Sequence, residues 1–272
     1  HDGFIVKPHG HTGKKASKTV LSGFTGIIDG FLSNGISNSK VIFERLQELG
    51  YKGSLSRVKD YIHDHRDLLP AKRYLVDPQG NRGRRYSTEP GESFQMDWGF
   101  ANVENYNGEK SQVACFAMIC HHCGYRYVEF FPNAKQENLF IGMIHAFCYM
   151  GVPVNVLTDN MKSVVLHRDM DGNPVWQHDY EAFTKTVGFK TKLSKPRHPF
   201  TKGAVERLVR FVKDIFLAGR VFEDLTDLNS AVSEWCSKQN NTYHKCIDGI
   251  PNDKHFKECR QNLSKLDRSA EL

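Results

Sequence analysis

Asp97 is the first residue whose type and place ask for a chemical reason. It lies between Met96 and Trp98, inside a stretch from Phe94 to Gly99 whose apolar residues alternate as in a β-strand. Acidic residues are disfavoured in strands, and a carboxylate beside a core is costly unless it is paired or holds a metal. Asp159 follows a second short apolar run, Val154–Leu157, and sits at the kind of strand end where α/β sheets place ligands. Glu206 lies in the first turns of a helix expected from about Lys202 to Leu217. If the strands carrying Asp97 and Asp159 are neighbours, the two carboxylates meet on one side of the sheet. A helix packed across that side then delivers Glu206. Three converging carboxylates make a site for Mg²⁺ or Mn²⁺, hard ions that take oxygen ligands. Two such ions about 4 Å apart activate an attacking oxygen and stabilise a leaving one in phosphodiester chemistry.

Glu206 also has a plainer reading. Lys202, Glu206, Arg210 and Lys213 recur at helical spacing on one face, and a lone acid on a basic stripe is commonly a salt-bridged surface group. Spacing alone favours that reading. The same stripe suits a helix lying against DNA, with its acid turned to a metal and its bases to phosphates.

The elements that must position these groups follow from periodicity. Leu21, Phe24, Ile28 and Phe31 mark one helical face; Val41, Ile42, Leu46 and Leu49 mark a second helix, capped by Ser37 or Asn38 and stopped by Gly50. Ser54 caps a third, with Leu55, Val58 and Ile62 inward and Ser56, Arg57, Lys59, His63 and Arg66 outward. Helix, glycine-containing turn, helix is the helix-turn-helix pattern, whose second helix reads base edges in a major groove. A plain three-helix bundle with a solvated face is the alternative. Residues 70–93, with several Pro and Gly and with Lys72, Arg73, Arg82, Arg84 and Arg85, read as a basic linker suited to tracking phosphates. Beyond it the period changes to three hairpin-joined strands, the second almost continuously apolar from Val113 to Cys120 and the third over Tyr125–Phe131. A helix at about 135–149, the Asp159 strand, a helix near 178–187, a strand near 189–193 and the Glu206 helix complete an α/β domain with a mixed sheet.

At 272 residues the chain has room for one large or two modest domains, and its net charge of +6 is compatible with nucleic acid without demanding it. Seven cysteines, odd in number and irregularly spaced, argue against a secreted disulfide framework and for a reducing cytoplasm. No run reaches the ~18 apolar residues of a membrane span, and no signal peptide is visible. The chain opens on His1, which reads as part of a longer protein. Cys120-His121-His122-Cys123 is a single cysteine pair in a hairpin turn with no second pair at useful spacing, and it is read as structural rather than as a zinc site. Asp169, Asp171, Asp179 and Glu181 read as solvated loop acids, and Trp98 as a core residue.

Taken together, these segments resemble a known family. Phe94-Gln95-Met96-Asp97-Trp98-Gly99, preceded by Pro90-Gly91-Glu92, resembles the first catalytic strand of IstA-type insertion-sequence transposases, within the retroviral-integrase-like superfamily. Leu157-Thr158-Asp159-Asn160 resembles the segment of the second aspartate. Lys202-Gly203-Ala204-Val205-Glu206-Arg207 resembles the helix that supplies the third carboxylate. Leu228-Asn229, Trp235, Asn240, His244 and Gly249-Ile250-Pro251 are similar to the helical tail after the core. The likeness covers roughly residues 20–265, and the ordered set of motifs is far more specific than any one of them.

The resemblance implies an RNase H-like core, Mg²⁺ dependence with Asp97, Asp159 and Glu206 as catalytic and metal-holding residues, recognition of transposon ends, and strand transfer into target DNA. It also implies a homo-oligomer of two or more copies at synapsis and a helper ATPase of the IstB type. The expected organisation is a tail at 1–17, a helix-turn-helix domain at 18–69, a basic linker at 70–93, a catalytic core at 94–222 and a helical extension at 223–272. Ser56, Arg57, Lys59, Arg82, Arg84, Arg85, Lys162, Lys195, Arg197, Lys202, Arg210 and Lys213 are the expected DNA-binding residues. The interval from Asp159 to Glu206 is longer than in retroviral integrases, and Asp169–Asp179 is read as a hairpin insertion. A DNA-binding regulator with an inactive integrase-like fold, and an RNase H-like nuclease without strand transfer, are the competing readings.

Overall fold

Two side chains set the helix boundaries near the start of the chain. The Asn38 carboxamide oxygen accepts from the Lys40 and Val41 amides, and the Ser54 hydroxyl from the Arg57 amide. In the computed structural model, which describes residues 19–70, 88–194 and 203–266, these caps open α2 (Ser39–Glu48) and α3 (Leu55–Asp64), which follow α1 (Thr25–Ser33). Gly50 takes φ +92° in the turn between α2 and α3, a conformation glycine adopts without strain. The three helices close on Ile28, Leu32, Ile42, Leu46, Tyr51, Val58 and Ile62. The face that periodicity marks is the inward one: Leu21 and Ile28 are buried, Phe24 and Phe31 pack half-buried against the same cluster, and Leu32 joins them. Residues 20–24 form turns, so Leu21 and Phe24 reach that cluster from just before the helix. Leu49, at the C-cap of α2, is exposed.

The chain divides into two compact units, His1–Asp77 and Pro78–Leu272. The second contains β1 (Ser93–Glu104), β2 (Lys110–Cys120), β3 (Arg126–Phe131), β4 (Asn155–Thr158), β5 (Val165–Arg168), β6 (Pro174–Trp176) and β7 (Lys190–Leu193). Five of these form one sheet in the order β3-β2-β1-β4-β7, and β5 and β6 pair with each other. The first three strands are an antiparallel meander, and β4 and β7 continue the sheet parallel to β1. This is the mixed sheet that the RNase H-like reading requires. The parallel step from β3 to β4 needs a crossover, which α4 (Gln136–Met150) supplies.

Both faces of the sheet are covered. On one, Phe94, Met96, Phe116 and Met118 pack with Leu139, Met143 and Phe147 of α4 and with Tyr180 of α5 (His178–Val187). On the other, Val113, Cys115, Ala117, Ile119, Val128 and Phe130 meet α6 (Gly203–Phe211) and α7 (Leu225–Asn240). That double burial explains why β2 is apolar at successive positions rather than alternate ones. Burial pushes the Cys115 thiol well up and the Cys236 thiol to about 12, so both serve as apolar packing groups. After Phe211 the helix continues through a π turn, Val212–Phe216; the register changes there, and Ile215 is only half-buried where α-helical spacing would bury it. The Asp169 region is the hairpin of β5 with β6, and the Asp169 carboxylate accepts from the Asp171 and Asn173 amides in its turn. No helix among the described residues is long and apolar enough to cross a membrane.

The outer edge of β3 is closed by side chains rather than by another strand. Asn229 and Asn240 of α7 each use both ends of their carboxamide. Asn229 accepts from Phe130 N at 2.7 Å and donates to Phe130 O at 2.9 Å; Asn240 does the same to Arg126 at 3.0 and 2.9 Å. Edge strands left open invite pairing with other chains, and these two residues occupy the edge. Asn240 is 1% exposed. Asn240→Ala leaves two backbone groups of Arg126 buried without partners and is expected to destabilise the protein by about 3 kcal/mol, read as a lower urea midpoint.

Candidate active site

The pairing of β1 with β4 decides where the two aspartates stand. Ser93 lies opposite Asn155, Phe94 opposite Val156 and Gln95 opposite Leu157. Carrying that register two residues further brings Asp97 level with Asp159. Both residues are half-buried and line one open cleft of about 620 Å³ together with Trp98, Lys135, Asn160 and Lys162. The Trp98 amide donates to Asp97 Oδ1 at 2.9 Å, and the Ser194 hydroxyl is hydrogen-bonded to Asp159 Oδ1. Trp98 packs edge-on against Phe116 and Phe131, the core role expected of it, and its indole Nε1 is buried without a hydrogen-bond partner among the described residues. Two carboxylates lining one open cleft are oxygen donors of the kind that a hard divalent cation takes.

Side chains of a strand alternate between faces, so Gln95, Asp97 and Gly99 share one face of β1. That face is the one under α6. The Val205 amide of α6 donates to Gln95 Oε1 at 3.2 Å, and Gly99 lies directly beneath Val209, so close that a Cβ there would fall inside the valine side chain. The helix therefore runs along β1 over Asp97. Glu206, one residue after Val205, is exposed and is not among the residues lining the Asp97–Asp159 cleft. Arg210 and Lys213 are exposed on the same helix and its continuation. On α3, Ser56, Arg57, Lys59 and His63 all face solvent, as their spacing predicts, and so does Arg66 in the 3-10 turn that follows. Arg82, Arg84, Arg85, Lys195, Arg197 and Lys202 lie outside the described residues.

Ser194, Lys135 and Gln136 belong to this region and were not anticipated. Ser194 comes from the residue after β7, which only the sheet order brings beside Asp159. Lys135 and Gln136 open α4, whose start lies at the cleft.

One expectation is corrected. Cys120 and Cys123 do have a second pair of candidate ligands: His255 and Cys259, more than 130 residues further along, lie with them so that all four ligand atoms are within 4.8 Å of one another. Sequence spacing hides that second pair because it is supplied by tertiary structure.

No model of a protein family matches the chain. Individual proteins do. The chain is 30% identical over 253 residues to the protein described as the transposase for insertion sequence element IS5376 of Geobacillus stearothermophilus, covering 92% of this chain and 61% of that protein. It is 30% identical over 217 residues to the transposase for IS640 of Shigella sonnei, with 79% and 65% covered. It is 31% identical over 218 residues to the transposase for IS21 of Pseudomonas aeruginosa, with 79% and 53% covered. The chain is similar in sequence to these insertion-sequence transposases along most of its length. It spans between 53% and 65% of the length of those relatives. Among solved structures, a simian T-cell lymphotropic virus intasome aligns with 89% of this chain and 78% of its own, at TM-score 0.48 and 11% identity. A magnesium complex of the HTLV-2 integrase catalytic core domain aligns with 62% of this chain and 99% of its own, at TM-score 0.45 and 13% identity.

Proposed function

We propose that this chain carries the catalytic portion of a DNA transposase, which cleaves phosphodiester bonds at transposon ends and transfers the freed strand into target DNA. The observation that carries the reading is the placement of Asp97, within β1, and Asp159, just past the end of the parallel strand β4 beside it, in one open cleft. Glu206 is assigned as the third carboxylate, supported by the motif it sits in and by the seat of α6 over the Asp97 face. When bound, Mg²⁺ or Mn²⁺ ions, two per site, supply the charge that activates the attacking oxygen and stabilises the leaving one.

The chain's own groups do the positioning. The Trp98 amide fixes one oxygen of Asp97, and the Ser194 hydroxyl orients Asp159. Lys135 and Lys162 line the cleft where a scissile phosphate would lie, and Arg210 and Lys213 extend a basic surface along α6. Water attack at a transposon end leaves a 3′-hydroxyl; that hydroxyl then attacks a target phosphodiester and displaces a target 3′-oxygen. Ser56, Arg57 and Lys59 of α3 are assigned to DNA binding, and Arg82, Arg84, Arg85, Lys195, Arg197 and Lys202 to phosphates in the same reading. Synapsis of two ends calls for at least a dimer, and an IstB-type ATPase is the partner the reading implies.

Joining of labelled transposon-end duplexes to plasmid DNA tests the proposal. Glu206→Gln is expected to abolish joining while end binding persists. Normal joining by that variant would remove Glu206 from the trio. Absence of any Asp97-dependent Mg²⁺ or Mn²⁺ binding in calorimetry would favour the DNA-binding regulator instead. Arg57→Ala and Lys59→Ala should each weaken end binding and flatten the slope of log affinity against log salt by about 1 for each phosphate that is no longer neutralised. An unchanged slope in both variants would withdraw α3 from the interface.

A further inference from the structure

We propose that Cys120, Cys123, His255 and Cys259 bind one Zn²⁺ ion, which fastens the C-terminal segment to the turn between β2 and β3. The four residues are 1%, 0%, 4% and 0% exposed, and their ligand atoms lie within 4.8 Å of one another. Two separations can be checked against tetrahedral geometry. Cys120 Sγ and Cys259 Sγ are 3.9 Å apart, and Cys123 Sγ and His255 Nδ1 are 3.5 Å apart. A tetrahedral ion with ordinary zinc–sulfur and zinc–nitrogen bonds sets its ligands about 3.8 Å apart for two sulfurs and about 3.6 Å apart for sulfur and nitrogen.

The local structure presents each ligand for this role. Cys120 ends β2, and the turn after it is closed by Gly124 N to Cys120 O at 2.9 Å and Cys120 N to Tyr125 O at 2.8 Å. Gly124 takes φ +69°, so the chain reverses within Cys-x-x-Cys-Gly and both thiols point the same way. His255 and Cys259 open and close a single π-helical turn that continues α8 (Pro251–Lys254), which puts both on one face. His255 Nε2–H donates to the Met150 carbonyl at 2.9 Å, which leaves the Nδ1 lone pair facing the cysteines. A ligand histidine held through its other nitrogen by a carbonyl is the usual outer-shell arrangement of a metal site. The imidazole is also stacked on Tyr125 at 4.3 Å.

The donor set selects the metal. Three sulfurs and one imidazole in a closed, tetrahedral, buried cluster suit Zn²⁺, and Mg²⁺ prefers oxygen. No position is left open for substrate, so the ion holds structure and does no chemistry. Binding converts three thiols to thiolates and releases their three protons to solvent. The consequence is mechanical. The C-terminal segment also bridges back to the core where Val152 pairs with Ser264, so the ion and that bridge together pin it beside the sheet. The proposal does not depend on the strand-transfer reading.

The test uses the whole chain, purified without a metal-affinity tag. Elemental analysis is expected to find one zinc per chain in the wild type and in Asp97→Asn, and none in Cys123→Ser or Cys259→Ser. Because those cysteine variants can fail to fold, Co²⁺ is exchanged into the wild type as well. It should give thiolate-to-cobalt charge transfer and the intense visible bands of a tetrahedral site. Stripping the ion should lower Tm by roughly 10 °C or more, since binding energy at such a site is folding energy. A wild-type chain without bound zinc, a Co²⁺ spectrum lacking thiolate charge transfer, or a Cys120–Cys259 disulfide in the native protein would each overturn the assignment.

Discussion

Asp97→Asn is expected to abolish strand transfer, by about 10³-fold or more. The substitution keeps the shape of the side chain and the acceptor that the Trp98 amide uses, and removes the negative charge. An amide oxygen is a poor ligand for a hard dication, so the site loses charge where it is most needed. Metal-derived stabilisation of several kcal/mol, at 1.36 kcal/mol per tenfold, converts to that rate loss. Stability should hardly fall, because Asp97 is only half-buried and its neighbours stay packed. The measurement is joining of labelled ends in Mg²⁺ alongside a melting curve. Joining within tenfold of wild type would mean that the first carboxylate of the proposed trio is misassigned.

Gly99→Val is expected to cost activity without touching any carboxylate. Gly99 faces Val209, and even a methyl group would occupy space that the valine already fills. Glycine inside a strand often marks such a close approach. Since β1 is held in the sheet by both β2 and β4, α6 must yield. Overpacking of this kind costs about 1–3 kcal/mol of stability. The larger effect falls on chemistry: α6 carries Glu206, and a displacement of about 1 Å at a positioned group can cost about 10²-fold in rate. A joining assay should show that loss with DNA-end binding intact. A compensating Val209→Ala, which makes room for the new side chain, should recover part of it; failure to recover any would argue against the steric account.

Both aspartates were legible as candidates, for different reasons. Asp97 announces itself because a charge amid Phe94, Met96 and Trp98 needs a reason, and Asp159 because it follows a short apolar run at a strand end. The meander, α4, α5 and the Asp169 hairpin were also readable, because each rests on local periodicity, turn residues and caps. Asn38 and Ser54 fix helix starts through bonds to amides two or three residues away, and such short-range chemistry is written in the sequence. The inward line of Leu21, Phe24, Ile28 and Phe31 was readable as well, although α1 itself begins only at Thr25.

Residue types and their spacing thus determined a mixed α/β sheet, a helical first unit with an exposed polar face on α3, and two aspartates as candidate metal ligands. Tertiary structure alone decided the rest. It brought Asp97 level with Asp159 through the β1–β4 register, laid α6 over the Asp97 face through Gly99, and closed the β3 edge with Asn229 and Asn240. It also left Glu206 exposed on its helix, as spacing alone expects of an acid on a basic stripe. The cysteine cluster shows the physical reason most plainly. Cys120-x-x-Cys123 is half of a ligand set, and its other half is distant in sequence. Local patterns report what the chain does within a few residues, whereas a site assembled from both ends of a domain exists only once the sheet and the segments packed on it have closed.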